Sequence, residues 1–177
     1  MKLAKYIVAL CALLVVSIAE LQAEQPALIP GCSSYTECDG CFVLSDTTSV
    51  VCADIELLPA ANYLADVLGL NVAEEAVSSI HLSLDERLAS EEYRLDVKDS
   101  GVSIVGGDYG AIICGITTLY QLLPPAVYVK ELSLPCSISC CVIEDRPRFA
   151  HRGFMLDVCR TWMSKQAVVA YIDLLAY

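Results

Sequence analysis

Basic residues are scarce in this chain, which carries 11 Lys and Arg against 22 Asp and Glu and has a formal net charge of -11. A protein this acidic repels phosphate backbones, so nucleic acid is not expected as a partner. The hydrophobic fraction of 56% excludes a disordered composition. A length of 177 residues allows one full domain, or one domain and part of another.

Histidine is nearly absent, because only His81 and His151 occur and they stand far apart. Cys38 and Cys41 form the one C-x-x-C pair of the sequence. A structural zinc site needs four ligands, usually a second such pair or His at close spacing. We therefore predict neither a metal site nor a cofactor. No Ser/His/Asp set is visible, and no carboxylate pair can be assigned from spacing.

An uncharged apolar run lies at the N-terminus, and it is too short to span a membrane comfortably. Lys2 and Lys5 precede it, residues 7–18 form it, and Ala23 follows as a small residue at a cut site. This pattern predicts a secretory signal peptide over residues 1–23, cleaved near Ala23. The protein is then exported to the periplasm, the cell surface or the medium, without a stable membrane anchor.

Cysteine is abundant, and removal of residues 1–23 would leave nine of the ten thiols. An odd number leaves at least one thiol unpaired or available to another chain. Small apolar filler is the favoured interpretation of these cysteines; one or two disulfides, and after them a metal site, are the alternatives. If oxidised, the residues near enough in sequence to bond are Cys32, Cys38, Cys41 and Cys52.

Hydrophobic periodicity predicts an α/β (α+β) domain over residues 24–145, with a small mixed sheet covered by helices. Residues 24–41 are predicted to be an irregular lead-in and residues 124–137 a linker. The predicted helices are 57–68, ended by Gly69, and 109–123. The predicted strands are 42–44, 49–51, 78–84, 93–97, 102–104 and 139–143. Residues 105–110 are rich in glycine, but their spacing departs from the dinucleotide-binding pattern, which favours a tight strand-to-helix turn.

Residues 146–177 are predicted to begin a second unit, with a strand over 151–156 and a helix over 164–177. A single strand–helix unit cannot bury its own apolar face. We therefore expect the first repeat of a truncated (β/α)8 TIM barrel. The predicted helix has no cap, Gly or Pro at its end, which favours a cut within the element.

Arg160 is the candidate substrate-binding residue, with possible support from Asp157. Both follow the C-terminal end of the predicted 151–156 strand, the end that faces the active site in a barrel. A guanidinium presents a fork of donors suited to neighbouring sugar hydroxyls. The alternative is an internal salt bridge at the barrel rim. For Arg146 and Arg148, a solvated linker pairing with Glu144 and Asp145 is the favoured interpretation.

Several motifs in register resemble one enzyme family. The runs IEDRPRF (143–149) and RGFMLDVCR (152–160), followed by YIDLLA (171–176), look like the start of the barrel of family 20 glycoside hydrolases, the β-N-acetylhexosaminidases. Upstream, EYRLDV (92–97), GVSI (101–104) and GITTLYQLLP (115–124) look like the non-catalytic α/β domain that precedes this barrel. The similarity covers roughly residues 28–177.

The resemblance implies release of terminal N-acetylglucosamine or N-acetylgalactosamine from glycans, with the substrate's own acetamido oxygen as nucleophile. It implies that Arg160 grips hydroxyls of the terminal sugar. The family usually has His after this Arg, where this chain has Thr161, although Trp162 keeps the following aromatic. The family's catalytic Asp-Glu pair belongs to a later strand, so no catalytic residue is assigned within this chain, which is expected to be inactive alone. A stand-alone glycan- or protein-binding module is the alternative.

Overall fold

The computed structural model describes residues 26–52 and 54–175. The predicted signal peptide and its cut site lie outside these residues. Seven strands form one sheet in the order β1-β7-β5-β6-β4-β2-β3. The strands are β1 (Ser34–Leu44), β2 (Ser49–Cys52), β3 (Asn71–Ala73), β4 (Ser79–Leu84), β5 (Tyr93–Lys98), β6 (Gly101–Gly106) and β7 (Cys136–Asp145). The helices are α1 (Leu58–Leu68), α2 (Tyr109–Gln121) and α3 (Lys165–Leu175), with 3-10 turns at Ile55–Leu57 and Pro125–Val129.

The sheet is mixed, as predicted. Strands β1, β7, β5 and β6 pair antiparallel, whereas β6, β4, β2 and β3 pair parallel. The register aligns Val50, Ile80 and Val102 in one row, and all three are buried beneath the helices. Their strand neighbours point the other way, because side chains alternate along a strand. The predicted small sheet covered by helices is therefore confirmed.

Helix α1 covers the parallel part of the sheet. Its apolar residues recur at helical spacing, so that Ala61, Leu64 and Leu68 are all buried on one side. Gly69 ends the helix in the left-handed conformation, with φ of 69°, and its amide donates to the Ala65 carbonyl. Glycine adopts this conformation without a steric cost, so the predicted stop is confirmed.

Helix α2 follows β6 through the predicted tight turn. The Asp108 side chain accepts a hydrogen bond from the Ala111 amide at 2.8 Å and so caps the helix. At Gly107, an added Cβ would lie 2.1 Å from the Ala89 carbonyl oxygen. The loop before β5 therefore packs directly on the turn, at a place where only glycine fits.

The prediction of an irregular lead-in over residues 24–41 is wrong from Ser34 onward. Strand β1 starts there and pairs with β7, with Ser34 opposite Glu144 and a register shift between Glu37 and Cys41. Its first half lacks a regular apolar pattern, and its partner lies about 100 residues away, so local periodicity could not reveal it. Strand β3 was not predicted, and β7 begins at Cys136, inside the predicted linker.

The predicted strand over 151–156 is also wrong, since these residues have no regular structure and join no ladder of the described sheet. A strand exists only through hydrogen bonds to a neighbour. The predicted helix is confirmed as α3, but none of its described residues is buried. Large apolar side chains are exposed throughout this region, including Phe149, Phe154, Met155, Trp162, Ile172 and Leu174.

Nine cysteines fall within the structure, and all of them carry free thiols. No group of three or more His, Cys, Asp or Glu side chains in residues 26–52 and 54–175 is placed to hold a metal ion. None of the helices in the same ranges is long and apolar enough to cross a membrane.

Candidate functional site

The chain leaves the sheet at Asp145, which anchors the start of the predicted barrel segment. Its Oδ1 accepts hydrogen bonds from the Ser33 amide at 2.9 Å and from the Ser33 hydroxyl at 2.6 Å. Glu144 forms an ion pair with Arg94 across the sheet at 2.5 Å. The predicted pairing of these two acids with the arginines that follow them is therefore wrong, because both acids face partners within the α/β domain.

Asp157 and Arg160, the two predicted site residues, are brought together in one turn. The Asp157 Oδ1 accepts hydrogen bonds from the backbone amides of Cys159 at 2.9 Å and of Arg160 at 3.1 Å. Its Oδ2 accepts from the Arg160 Nε at 2.5 Å. The carboxylate thus fixes both the turn and the side chain of Arg160.

The electrostatics of this pair favour the charged carboxylate. The Arg160 backbone amide, then its guanidinium and then the Cys159 amide hold the pKa of Asp157 below its usual range. Arg160 therefore faces an ionised partner at neutral pH.

The guanidinium of Arg160 is largely exposed to solvent. Its side chain is 90% exposed, while that of Asp157 is 37% exposed. The contact with Asp157 uses Nε, and no other residue of the described chain accepts a hydrogen bond from the terminal nitrogens. A guanidinium presents five N–H donors, so four of them have no acceptor within the described residues. Trp162 lies two residues further on and is 87% exposed.

Sequence reasoning missed the contact that ties this segment to the α/β domain. Arg152 forms an ion pair with Glu91, in the loop before β5, and also donates to the Phe149 carbonyl at 2.6 Å. Arg152 and Glu91 are 61 residues apart, and neither lies in a periodic pattern. Nothing in the sequence distinguishes Glu91 from its neighbour Glu92 as the partner of Arg152.

Comparison with protein families accounts for both parts of the chain. The model of glycosyl hydrolase family 20, domain 2, matches residues 25–146, and the model of the family 20 catalytic domain matches residues 149–177. The chain belongs to glycosyl hydrolase family 20. The Asp157–Arg160 turn of this family 20 chain falls in the part matched by the catalytic domain.

Individual relatives agree with the family assignment. A beta-hexosaminidase of Porphyromonas gingivalis is 35% identical over 161 residues, which are 84% of this chain and 21% of that protein. Among solved structures, the GH20 beta-N-acetylhexosaminidase of Streptomyces coelicolor A3(2) is 31% identical with a TM-score of 0.75, covering 82% of this chain and 31% of that one. A mutant Streptomyces plicatus beta-hexosaminidase in complex with product (GlcNAc) is also 31% identical, with a TM-score of 0.75, over 85% of this chain and 32% of that one.

This family 20 chain is thus much shorter than its relatives. It spans about a fifth of the length of the Porphyromonas protein and about a third of the two Streptomyces chains.

Proposed function

We propose that this family 20 chain is the N-terminal portion of an exported β-N-acetylhexosaminidase that removes terminal non-reducing N-acetylhexosamine residues. The observation that carries the proposal is the Asp157–Arg160 turn, which holds an open guanidinium within the segment matched by the catalytic domain. Export is supported by the basic, apolar and small-residue pattern of residues 1–23.

In this proposal, Arg160 donates hydrogen bonds to hydroxyls of the terminal sugar, and Asp157 orients it. Charge-assisted donors of a guanidinium give geometric specificity for neighbouring oxygens. The mutant Streptomyces plicatus enzyme binds GlcNAc as its product, which supports an N-acetylhexosamine as the ligand class. Glycans that end in N-acetylglucosamine or N-acetylgalactosamine are therefore the proposed substrates.

The proposed chemistry is the retaining, substrate-assisted hydrolysis described for the family, in which the acetamido oxygen of the sugar acts as nucleophile. That scheme needs a general acid/base, and no residue of the described barrel segment is assigned this role. Residues 146–175 enclose no cleft around Arg160, since nearly every residue from 151 to 160 is exposed. We accordingly propose that the 177-residue chain binds sugar weakly and does not hydrolyse it alone.

A hydrolysis assay with an aryl N-acetyl-β-glucosaminide tests the function. A longer protein that carries this chain at its N-terminus and a complete barrel should release the aryl group, whereas the 177-residue chain should not. Hydrolysis by the chain alone would overturn its proposed inactivity. Absence of hydrolysis in the longer protein, tested also with the N-acetylgalactosaminide, would overturn the hexosaminidase function.

A stand-alone binding module is the second candidate, and the buried core favours it. The core cluster is built from residues 42 to 143 and includes none of the barrel segment. Limited proteolysis should then protect residues 28–145, and the purified chain should be a monomer. Aggregation through the exposed apolar side chains of residues 149–175 would instead favour an incomplete barrel.

A further inference from the structure

The loop between β4 and β5 contains a residue in an unusual conformation. Glu91 has φ of 59°, in the left-handed region that residues with a side chain rarely adopt. Asp108, the cap of α2, accepts hydrogen bonds from the Glu91 amide at 3.1 Å and from the Ser90 hydroxyl at 2.6 Å. The strained backbone is thus fastened to the N-terminus of α2.

The conformation of Glu91 directs its carboxylate at Arg152. Its Oε2 accepts from the Arg152 Nη1 at 3.2 Å, and its Oε1 accepts from Nη2. The same Nη1 donates to the Phe149 carbonyl at 2.6 Å. The guanidinium therefore joins the α/β domain to the backbone of the barrel segment in a two-pronged contact, the strong geometry for an Arg–carboxylate pair.

We infer that Glu91 is a positioning residue, which holds Arg152 and thereby sets the path of the chain toward the Asp157–Arg160 turn. Arg152 lies five residues before Asp157, and residues 151–157 have no ladder partner in the described sheet. The Glu91 carboxylate is the contact through which the α/β domain holds this otherwise exposed stretch. The effect of the Glu91–Arg152 contact on sugar binding rests on the proposed function. The contact itself, called the fastening below, does not depend on that function.

The strained backbone of Glu91 supports this interpretation. A backbone held in a sparsely populated region persists only when the surroundings over-determine it, and such residues cluster where geometry serves a role. Here the surroundings are the cap Asp108, the hydroxyl of Ser90 and the close contact of the Ala89 carbonyl with Gly107. A glutamate on a freely solvated surface would not need these contacts to hold its backbone.

Backbone 15N relaxation of the 177-residue chain tests the fastening. We expect Glu91→Gln to lower the order parameters of residues 149–157 toward the flexible range below about 0.6, with β5, β6 and β7 unchanged. Glu86→Gln is the matched control, because it removes the same charge from an exposed position of the same loop. The exchanged pair, Glu91→Arg with Arg152→Glu, should recover part of the order. Equal order parameters in Glu91→Gln and Glu86→Gln would overturn the inference.

Trypsin supplies a second readout with an internal reference. A guanidinium held by Glu91 is withheld from the protease, so Glu91→Gln should raise cleavage after Arg152 relative to cleavage after Arg148 in the same molecules. An unchanged ratio would contradict the fastening.

The effect on substrate is measured in a longer protein with a complete barrel. Glu91→Gln should raise KM at least 2-fold, with a smaller change in kcat, and Glu91→Asp should restore part of the loss. Lower order parameters with unaltered KM would overturn the positioning role. An inactive parent protein would overturn the proposed function, while the relaxation result on the chain would still decide the fastening.

Discussion

The Tyr93 hydroxyl lies 2.6 Å from the Thr118 Oγ1, so that β5 and α2 share a hydrogen bond inside the core. Both residues are buried, and the Asp145 carboxylate lies 3.5 Å from the same hydroxyl at the end of β7. Burial raises the pKa of Tyr93 well above its usual range, which keeps the phenol neutral. These two contacts of one hydroxyl thus join β5 to α2 and to the point where the chain leaves the sheet.

Removing this hydroxyl should destabilise the α/β domain. We expect Tyr93→Phe to lower the free energy of unfolding by about 1–2 kcal/mol, because the Thr118 hydroxyl loses its buried partner. Urea denaturation followed by circular dichroism measures the change. Tyr109→Phe is the control, since Tyr109 is 43% exposed and should change stability by less than about 0.5 kcal/mol. Equal effects in the two variants would contradict the role of this contact.

The close packing at Gly107 predicts a larger effect from a single methyl group. In Gly107→Ala, the new Cβ meets the Ala89 carbonyl, so the loop before β5 must move away. We expect a loss of about 1–3 kcal/mol, as for other overpacked sites, measured by thermal unfolding. Gly31→Ala serves as control, because nothing lies within 4 Å of its added Cβ. If Gly107→Ala were as stable as Gly31→Ala, the described packing of the loop would be wrong.

The cap Asp108 predicts a pH dependence of stability. The Ser90 hydroxyl, followed by the Ala111 amide, holds the pKa of Asp108 below its usual range. The resulting stabilisation is fully present above the unfolded pKa of about 3.9, and it is lost as the pH falls through the lower folded pKa. Asp108→Ala should cost about 0.5–2 kcal/mol at pH 7, the range for loss of an N-cap.

Asp108→Asn separates the cap from the charge, because asparagine caps helices well but does not titrate. It should retain much of the stability at pH 7 and lose less than the parent between pH 5 and pH 2. Unfolding curves across this range are the measurement. An acid limb identical to that of the parent would argue against Asp108 as a titrating group.

The buried thiols should react much more slowly than the exposed thiols. Burial, aided by a hydrogen bond from the thiol to Asp99 at 3.2 Å, raises the pKa of Cys140 to about 11. Burial, with the nearby Cys38 as a second cause, raises the pKa of Cys141 to about 11. At pH 8, roughly one in a thousand of either thiol is then the reactive thiolate.

Iodoacetamide at pH 8, followed by mass spectrometry of the peptides, measures this difference. The exposed thiols of Cys38, Cys41 and Cys159 should be modified first. Cys140 and Cys141 should react only when urea unfolds the sheet. Early modification of either would show that β7 is more open than described.

Replacement of the guanidinium of Arg160 tests its proposed contact with sugar. In a longer protein with a complete barrel, Arg160→Lys should lower kcat/KM by roughly 10- to 100-fold, because lysine cannot reproduce the fork of donors. Lys165→Arg is the control, because it makes the reverse exchange of one cation for another at a nearby exposed position at the start of α3. Similar kcat/KM in the parent and Arg160→Lys would remove Arg160 from the site.

Sequence patterns correctly predicted the elements whose pattern is complete within a short stretch of the chain. The spacing of Ala61, Leu64 and Leu68 with the stop at Gly69 is complete within twelve residues, and it located α1. Alternation and a tight turn located the β5–β6 hairpin in the same way. The Asp157–Arg160 pair could likewise be named in advance, because both partners lie in one turn.

What the patterns missed depends on distant partners. Strand β1 contains Glu37, Asp39 and Gly40, and it becomes a strand only by pairing with β7. The contact of Glu91 with Arg152 bridges 61 residues and depends on a strained backbone that no composition reveals. The prediction of a strand over residues 151–156 is wrong for the opposite reason. The segment ends in apolar residues, but the described sheet has no strand that pairs with it.

The edge position of β1 has a consequence for how the protein is made. During synthesis, residues 34–44 leave the ribosome about 100 residues before β7, which is their only strand partner among the described residues. Long-range pairing of this kind forms late, and an unpaired strand can meanwhile bind other chains. The N-terminal strand therefore cannot pair within its own sheet until β7 has left the ribosome, which is when the residues of the barrel segment begin to follow.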